Sequence, residues 1–600
     1  MPALYHLDAY DDCLAESGGL YCLVDAALYT TTPSDLMHMI QAYSNHTMKH
    51  YNHTQIHRGV CVTQTCKQFI KQENGTMDLD KTLAACLNHS VWKYYKLQAS
   101  LLDVQYCYSV DKKIDIDIYD ILVSVVFVVI ILLNAIGSLY DICICKDDPK
   151  AGNGYLLAFS LRRNWQRLVA PSGIGPEPRL ERLKCFHGLR TITMLCVIFS
   201  HAVLIMSFSY VDNPLYIENS YEDLMKQLLF NGSLVTHTFF VMSAFLLAYN
   251  YQLQLERRPA SWWLLPRGIL LRWLRLTPAY AVTLGFICSL GRHLGDGPLW
   301  GQVVGSEAAA CRRYWWAHLL YINNYVYDDA LCAPQTWYLA ADTQLFALGL
   351  ALCACGGGRR LLAGALLAGL LVVAAHTYWQ ELTAIVIQSP ETYRELYSQD
   401  DTFRLLYIRG HTNLSTYVLG LAGGFLTYNW QTKGNNLHSY KKWVWLYWLL
   451  FPLGVLVILS GGLFYTDEPI TSRVMQILYA TLYKPVFQLI VVGVIMGAIF
   501  KIENWYRCVV EWRGWAWAGR ASYCAFLVHT LVQRGLVGAQ RRPTHLSDYY
   551  VLLIVTGTFF LSYTLGAVLW MLVEAPVAAL VKHVTSPPKK SVNNTQNTPL

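Results

Sequence analysis

The feature that governs this chain is the recurrence of apolar runs about twenty residues long, the length that a bilayer core demands of a helix. The first, "DILVSVVFVVIILLNAIGSLY", covers residues 120–140. Ten more lie near 189–208, 233–251, 268–290, 335–354, 360–377, 411–428, 443–463, 475–500, 518–537 and 549–575. In lipid each run must satisfy its own backbone groups, so each reads as a helix. Composition agrees. Apolar residues make up 54% of the 600 and charged residues 14%, against about a quarter charged in soluble domains. The 19 Trp and 40 Tyr suit a chain with many membrane–water interfaces. The expectation is an all-α polytopic membrane protein with about 11 transmembrane helices, one followed by a core of ten. The net charge of +7 is small for this length and belongs to basic loops. No basic run with interleaved aromatics marks a nucleic-acid partner.

Residues 1–115 read differently. They hold Cys13, Cys22, Cys61, Cys66, Cys86 and Cys107, and the glycosylation sequons Asn45, Asn52, Asn74 and Asn88. An even cysteine count with dense sequons implies a disulfide-bonded domain on the lumenal or extracellular side. Six cysteines leave about fifteen connectivities open. No apolar signal segment opens the chain, so a secreted domain is expected to have lost its true N-terminus and signal peptide. The span 119–141 follows, then the linker 142–184, whose "LRRNWQR" places it in the cytoplasm by the positive-inside rule. Cys143 and Cys145, at that membrane edge, suit palmitoylation or are ordinary thiols. Threading the remaining runs puts "QLERRPASWWLLPR", "CGGGRR" and the disordered tail 582–600 inside. The loop 291–334 falls outside, with Cys311 and Cys332 as a disulfide pair. One loop, "GAQRRPTHLSD", breaks the rule with Arg541 and Arg542 on the outer side. The membrane is expected to be the plasma membrane or an endomembrane such as the endoplasmic reticulum.

Within the core, ionisable groups stand where lipid would penalise them. Arg190 and His201 are eleven residues apart, about 20° from three full turns, so they share one helix face roughly 16 Å apart along the axis. "LLPRGILLRWLRLTPAY" adds Arg267, Arg272 and Arg275, the last two on neighbouring positions of one face. Together with Arg190 they form a cationic mouth suited to phosphate groups, below a histidine placed to act as a general base. No P-loop, metal spacing or inverted repeat appears, so neither a metal nor a bound cofactor is expected.

The segments "FHGLRTITMLCVIFSH", "FFVMSAFLLAY", "LRWLRLTPAY", "CRRYWWAHLLYINNY", "CAPQTWYLAADTQLF", "RASYCAFLVH" and "VEAPVAALV" occur in that order. In this series the chain resembles the membrane-bound acyltransferase-3 family, in its animal branch, the nose-resistant-to-fluoxetine proteins. The resemblance implies a ten-helix core at 185–581 that takes an acyl group from cytoplasmic acyl-CoA. It implies His201 as catalytic base, with Arg190, Arg272 and Arg275 holding the donor. Trp337, Tyr338, Asp342 and Gln344 fall in a further family segment, as acceptor or positioning residues. His529 reads as a satisfied core histidine and Glu574 as a helix stop. There are departures: His187 and His237 stand where the family often has Asp, Ala244 where it has Gly, and Gly410 and Asn413 where it has Pro and Arg.

The function expected is transfer of an acyl group to a hydroxyl acceptor (a lipid, glycan or small molecule) at or across the membrane, with membrane lipids and acyl-CoA as partners. A rival class is a transport protein of epithelia that carries lipids or xenobiotics without acyl transfer. A third reading gives the cysteine-rich domain a lipid-binding role above a passive core.

Overall fold

The computed structural model of the protein describes residues 1–70, 72–73, 76–110, 114–145, 152–171, 178–181, 183–257, 259, 261–326, 332–434, 444–466 and 472–585. Sequon Asn74, the tail from 586 and linker positions 146–151, 172–177 and 182 lie outside these residues.

The N-terminal domain departs from the all-α expectation. Strands β1 (Tyr5–Leu7), β2 (Leu20–Tyr29), β3 (Gln55–Cys61) and β4 (Gln98–Ser109) form one sheet in the order β1-β3-β2-β4. Only the β1–β3 pairing is parallel. The reason lies in β2, whose residues alternate between two separate cores. Cys22, Val24, Ala26 and Leu28 pack against helices α1 (Asp35–Ser44) and α2 (Leu79–Tyr95). Tyr21 and Leu23 pack instead against the membrane domain. A strand buried on both faces reads as a continuous apolar run and loses the alternation that would announce it. Three disulfides pin the sheet: Cys13–Cys61, Cys22–Cys107 and Cys66–Cys86. The second joins residues directly opposite on β2 and β4.

All eleven apolar runs fold as helices: α3 (Ile118–Cys143), α4 (Cys185–Phe208), α5 (Ser233–Leu255), α6 (Leu264–Cys288), α7 (Trp337–Ala354), α8 (Arg359–Trp379), α9 (Leu414–Thr432), α10 (Val444–Phe464), α11 (Arg473–Ile499), α12 (Trp515–Gly538) and α13 (Asp548–Leu569). Among the described residues, 8 helices are long and apolar enough to cross a membrane. The runs that fall short are α6, α9 and α12. The last two are less apolar because much of their surface faces protein: α9 and α12 bury most of their length. In α6 the arginines Arg267, Arg272 and Arg275 lower the hydropathy. Interior membrane helices meet small and polar neighbours where peripheral ones meet lipid. At the seam of α5 and α9, a Cβ on Gly424 would lie 2.4 Å from the Phe245 carbonyl, and one on Gly420 would lie 2.7 Å from the Ala244 Cβ. At the opposite extreme, α3 exposes nearly all its side chains. It is fastened at its first turn, where Asp117 and Asp120 face Arg292 and Arg312, with Arg292 to Asp120 at 2.6 Å. The Arg312 hydrogen bond, foremost, holds the Asp117 carboxyl down at about 2.

The N-terminal domain rests on the ends of α4 and α12 and the first half of α13, through an apolar cluster that includes Tyr5, Tyr21, Tyr51, Ile205, Val537 and Val555. This contact explains the basic exception. Arg541 reaches Asp296 of the loop after α6 at 2.9 Å and Asp11 of the N-terminal domain at 3.3 Å, and stacks over Tyr10, so its charge is met from both sides of the contact. Cys311 and Cys332 form the disulfide of the loop between α6 and α7.

Candidate functional site

Two cavities meet inside the helix bundle. The larger, about 1000 Å³, opens away from the N-terminal domain. Arg190, Arg257, Arg267, Arg272, Arg275 and Arg520 line it, against the carboxylates Asp342 and Glu574. The smaller, about 110 Å³ and chiefly apolar, lies nearer the N-terminal domain. His201 lines it with Trp337, Tyr407 and Thr530. Phe526 lines both cavities and separates them. The two ends of α4 therefore serve different chambers: Arg190 the cationic one, His201 the apolar one.

The arginines are not equivalent. Arg272 pairs with Asp342 and stacks on Phe346 at 4.5 Å. Arg520 donates to the Leu168 and Ala170 carbonyls, each at 2.6 Å. Arg190 and Arg275 line the cavity with no ion pair or hydrogen bond to the protein, among the described residues. A cation in a lipid-embedded cavity without a partner is costly unless water or an anionic ligand meets it.

His201 is held by a relay. Its Nδ1 lies 2.8 Å from Nε2 of His529 on α12, with the rings nearly parallel at 5.1 Å. His529 Nδ1 lies 2.7 Å from the Phe526 carbonyl. A carbonyl only accepts, so His529 carries its proton on Nδ1. Neutral His529 then accepts at Nε2, and His201 must donate from Nδ1. His201 Nε2 is left with a free lone pair, the atom a general base uses.

The remaining sequence candidates divide. Trp337 lines the small chamber, and Tyr338 and Asp342 line the large one. Gln344 lines neither. It bonds the Tyr321 carbonyl at 2.8 Å and Asn324, fastening the loop before α7. His529 is a satisfied core histidine as its sequence position suggests, fully buried with both ring nitrogens bonded, and one of its two partners is His201. Glu574 is not a helix stop, because the helix runs on without a break to Thr585; its carboxylate lines the cationic cavity and accepts from Cys524 Sγ at 3.1 Å. Two departures face each other. His237 Nε2 meets Asn413 Oδ1 at 2.9 Å, and Lys484 Nζ reaches the same oxygen at 3.3 Å. A neutral hydrogen bond thus stands where the family pattern has a carboxylate and a guanidinium. Of the sequons described, Asn45 is exposed, while Asn52 and Asn88 are half-buried and accept hydrogen bonds from Thr54 and Ala99.

The model of the acyltransferase domain matches residues 183–573, which hold the small chamber and all of the large one but Glu574, Ala575 and Ala578. The chain belongs to the acyltransferase-3 family. It is an integral membrane protein of that family. It is 21% identical over 491 residues to "Nose resistant to fluoxetine protein 6" of Caenorhabditis elegans, a match that covers 74% of this chain and 57% of that one. The chain thus spans little more than half the length of this curated relative. No solved structure matches it. The acyltransferase-3 match begins just ahead of α4 and ends one residue before Glu574.

Proposed function

We propose that this acyltransferase-3 protein is a working enzyme that moves an acyl group from cytoplasmic acyl-CoA to a hydroxyl acceptor. The observation that carries the reading is the relay that leaves a lone pair on His201 Nε2, in a chamber that meets a cationic cavity across one aromatic side chain. In this reading the donor's phosphates sit against Arg190 and Arg275, while the Arg272–Asp342 pair shapes the wall beside them. A cavity of about 1000 Å³ is large enough for a nucleotide-sized donor. The thioester reaches past Phe526 to the small chamber. His201 Nε2 takes the proton of the acceptor hydroxyl as its oxygen attacks the thioester carbonyl carbon. The carbon–sulfur bond breaks, and the departing thiolate takes the proton back from His201, so the base is regenerated. Holding both reactants in one geometry supplies much of the rate. The positive-inside rule puts the donor cavity on the cytoplasmic side and the N-terminal domain outside.

The test is transfer of labelled acyl groups from acyl-CoA to membrane lipids and glycans, with wild type compared to His201→Ala at matched expression. Transfer that vanishes in the variant supports the reading. Absence of transfer with both short and long acyl-CoA sinks it. The roomy cavity, together with a relative named for resistance to fluoxetine, would then favour transport of a hydrophobic compound, checked by uptake of labelled fluoxetine into vesicles.

A further inference from the structure

A third cavity, about 160 Å³, lies where the N-terminal domain meets the membrane domain. Asp25, His57 and Gln105 line it from the N-terminal domain, and Tyr210, Gln302 and Arg394 from the membrane domain. The segment that carries Arg394 is a thin wall. Its Tyr393, Leu396 and Tyr397 line the His201 chamber, while its Arg394 and Glu395 line the interfacial cavity. The wall is clamped from the N-terminal domain: Asn52 N–H donates to Glu391 at 2.7 Å, and Arg394 Nη1 lies 2.9 Å from His57 Nε2. It is also bent into a shape that bulky residues rarely adopt, with φ of 49° at Leu396 and 63° at Tyr397.

The lining specifies its occupant. Charges of both signs are present, and two of them, Asp25 and Arg394, are already engaged. Asp25 accepts from Gln105 at 2.5 Å and faces His57 at 2.5 Å, while Arg394 meets Glu391 at 3.1 Å. An anion would face Asp25 and Glu395, and a cation would face Arg394, so neither is favoured. Gln302 donates to Gln105 at 2.7 Å, and two amides beside a carboxylate and a guanidinium offer donors and acceptors close together. The hydroxyls of Tyr5 and Tyr210, which also line the cavity, are buried with no partner among the described residues. Their rings supply apolar faces. For scale, a cavity of about 150 Å³ holds one benzene-sized ring.

We propose that this interfacial cavity binds a neutral, polyhydroxylated, ring-sized group, and that it is the docking site of the acceptor, one wall away from His201. The acceptor role rests on the acyl-transfer reading; the binding site does not. The group comes either from a free polyol or from the headgroup of a neutral glycolipid.

The test is saturation-transfer NMR on the full chain in lipid nanodiscs, with methyl β-galactoside and myo-inositol as probes and cyclohexanecarboxylate as the ring-sized anionic control. Both polyols are expected to bind, and the control is not. Gln302→Phe, which fills the cavity from the membrane side, and Gln105→Leu, which removes the amide from the other, are each expected to weaken binding at least tenfold. Binding no better than the control, or equal binding to wild type and both variants, overturns the site. Doping the nanodiscs with galactosylceramide assigns the source: displacement of methyl galactoside identifies a lipid headgroup, and persistence identifies a free polyol. No turnover is needed for these readouts. Polyol binding without acyl transfer would remove the acceptor role and keep the site; transfer without polyol binding would overturn the site with its acceptor role and leave the acyl-transfer reading standing.

Discussion

The relay from Phe526 through His529 to His201 makes a quantitative prediction. His529→Ala removes the acceptor of the His201 Nδ1 proton. A buried N–H left without a partner costs about 1–3 kcal/mol. The imidazole escapes that cost by moving its proton to Nε2, which faces the chamber, and in that tautomer it has no lone pair to offer the acceptor hydroxyl. Restoring the productive tautomer during turnover then adds the same penalty to the barrier, so acyl transfer is expected to fall roughly 5- to 150-fold. His529→Gln offers a carbonyl oxygen at a similar reach and is expected to recover most of the loss. The assay is labelled transfer from acyl-CoA at saturating donor, with the variants matched by expression and by elution on size exclusion. Transfer by His529→Ala within twofold of wild type would refute the reasoning. So would a His529→Gln variant that folds normally yet is as inactive as the alanine.

Further outcomes follow from other contacts. Asp342→Asn strands the buried Arg272 guanidinium and is expected to destabilise the protein by about 3 kcal/mol, most of it regained in the Arg272→Gln/Asp342→Asn double variant; thermal unfolding in detergent reads both. The docking of the N-terminal domain is expected to be acid-sensitive. Burial alone would raise the Glu218 carboxyl, but hydrogen bonds led by His53, with the Tyr51 N–H and Tyr43 hydroxyl, hold it below its ordinary value of 4.5. A depressed carboxyl stabilises fully above that value and loses its contribution as pH falls below it. Hydrogen exchange at residues 50–57, corrected for intrinsic rate, should therefore be equal at pH about 6 and 5 and faster at pH about 3.5; unchanged protection at the lowest pH would show that Glu218 is not a clamp. Gly424→Val would drive a Cβ to 2.4 Å from the Phe245 carbonyl. It should abolish the folded, monodisperse protein, and normal yield would mean that α5 and α9 do not meet as described.

The membrane architecture was legible because lipid enforces a simple rule: apolar length becomes helix. All eleven runs fold as helices, and among the described residues eight of them are long and apolar enough to cross a membrane. The N-terminal sheet was not legible. Its central strand is buried on both faces, one by its own helices and one by the membrane domain, so no alternation survives in the sequence. Arg190, His201, Arg272 and Arg275 were found from the cost of charge in a membrane and from spacing on a helix. That logic operates within one helix, and it could not see that Asp342 on α7 takes up Arg272. Nor could it see that His529, some 328 residues beyond His201, is its partner. Gln344 shows the converse limit, since a position carried over by resemblance turned out to fasten a loop. The division into two chambers belongs to tertiary packing alone, because Phe526 is unremarkable until the helices are assembled around it.

Phe526 has a consequence for how this protein can diverge. Its ring sets the aperture between the chambers, while its backbone oxygen sets the proton pattern on His529 and His201. Every amino acid brings that oxygen; only the ring is particular to phenylalanine. Substitutions here are therefore free to widen or narrow the passage without touching the hydrogen bonds that leave a lone pair on His201 Nε2. Passage and reactivity are inherited separately, although one residue carries both.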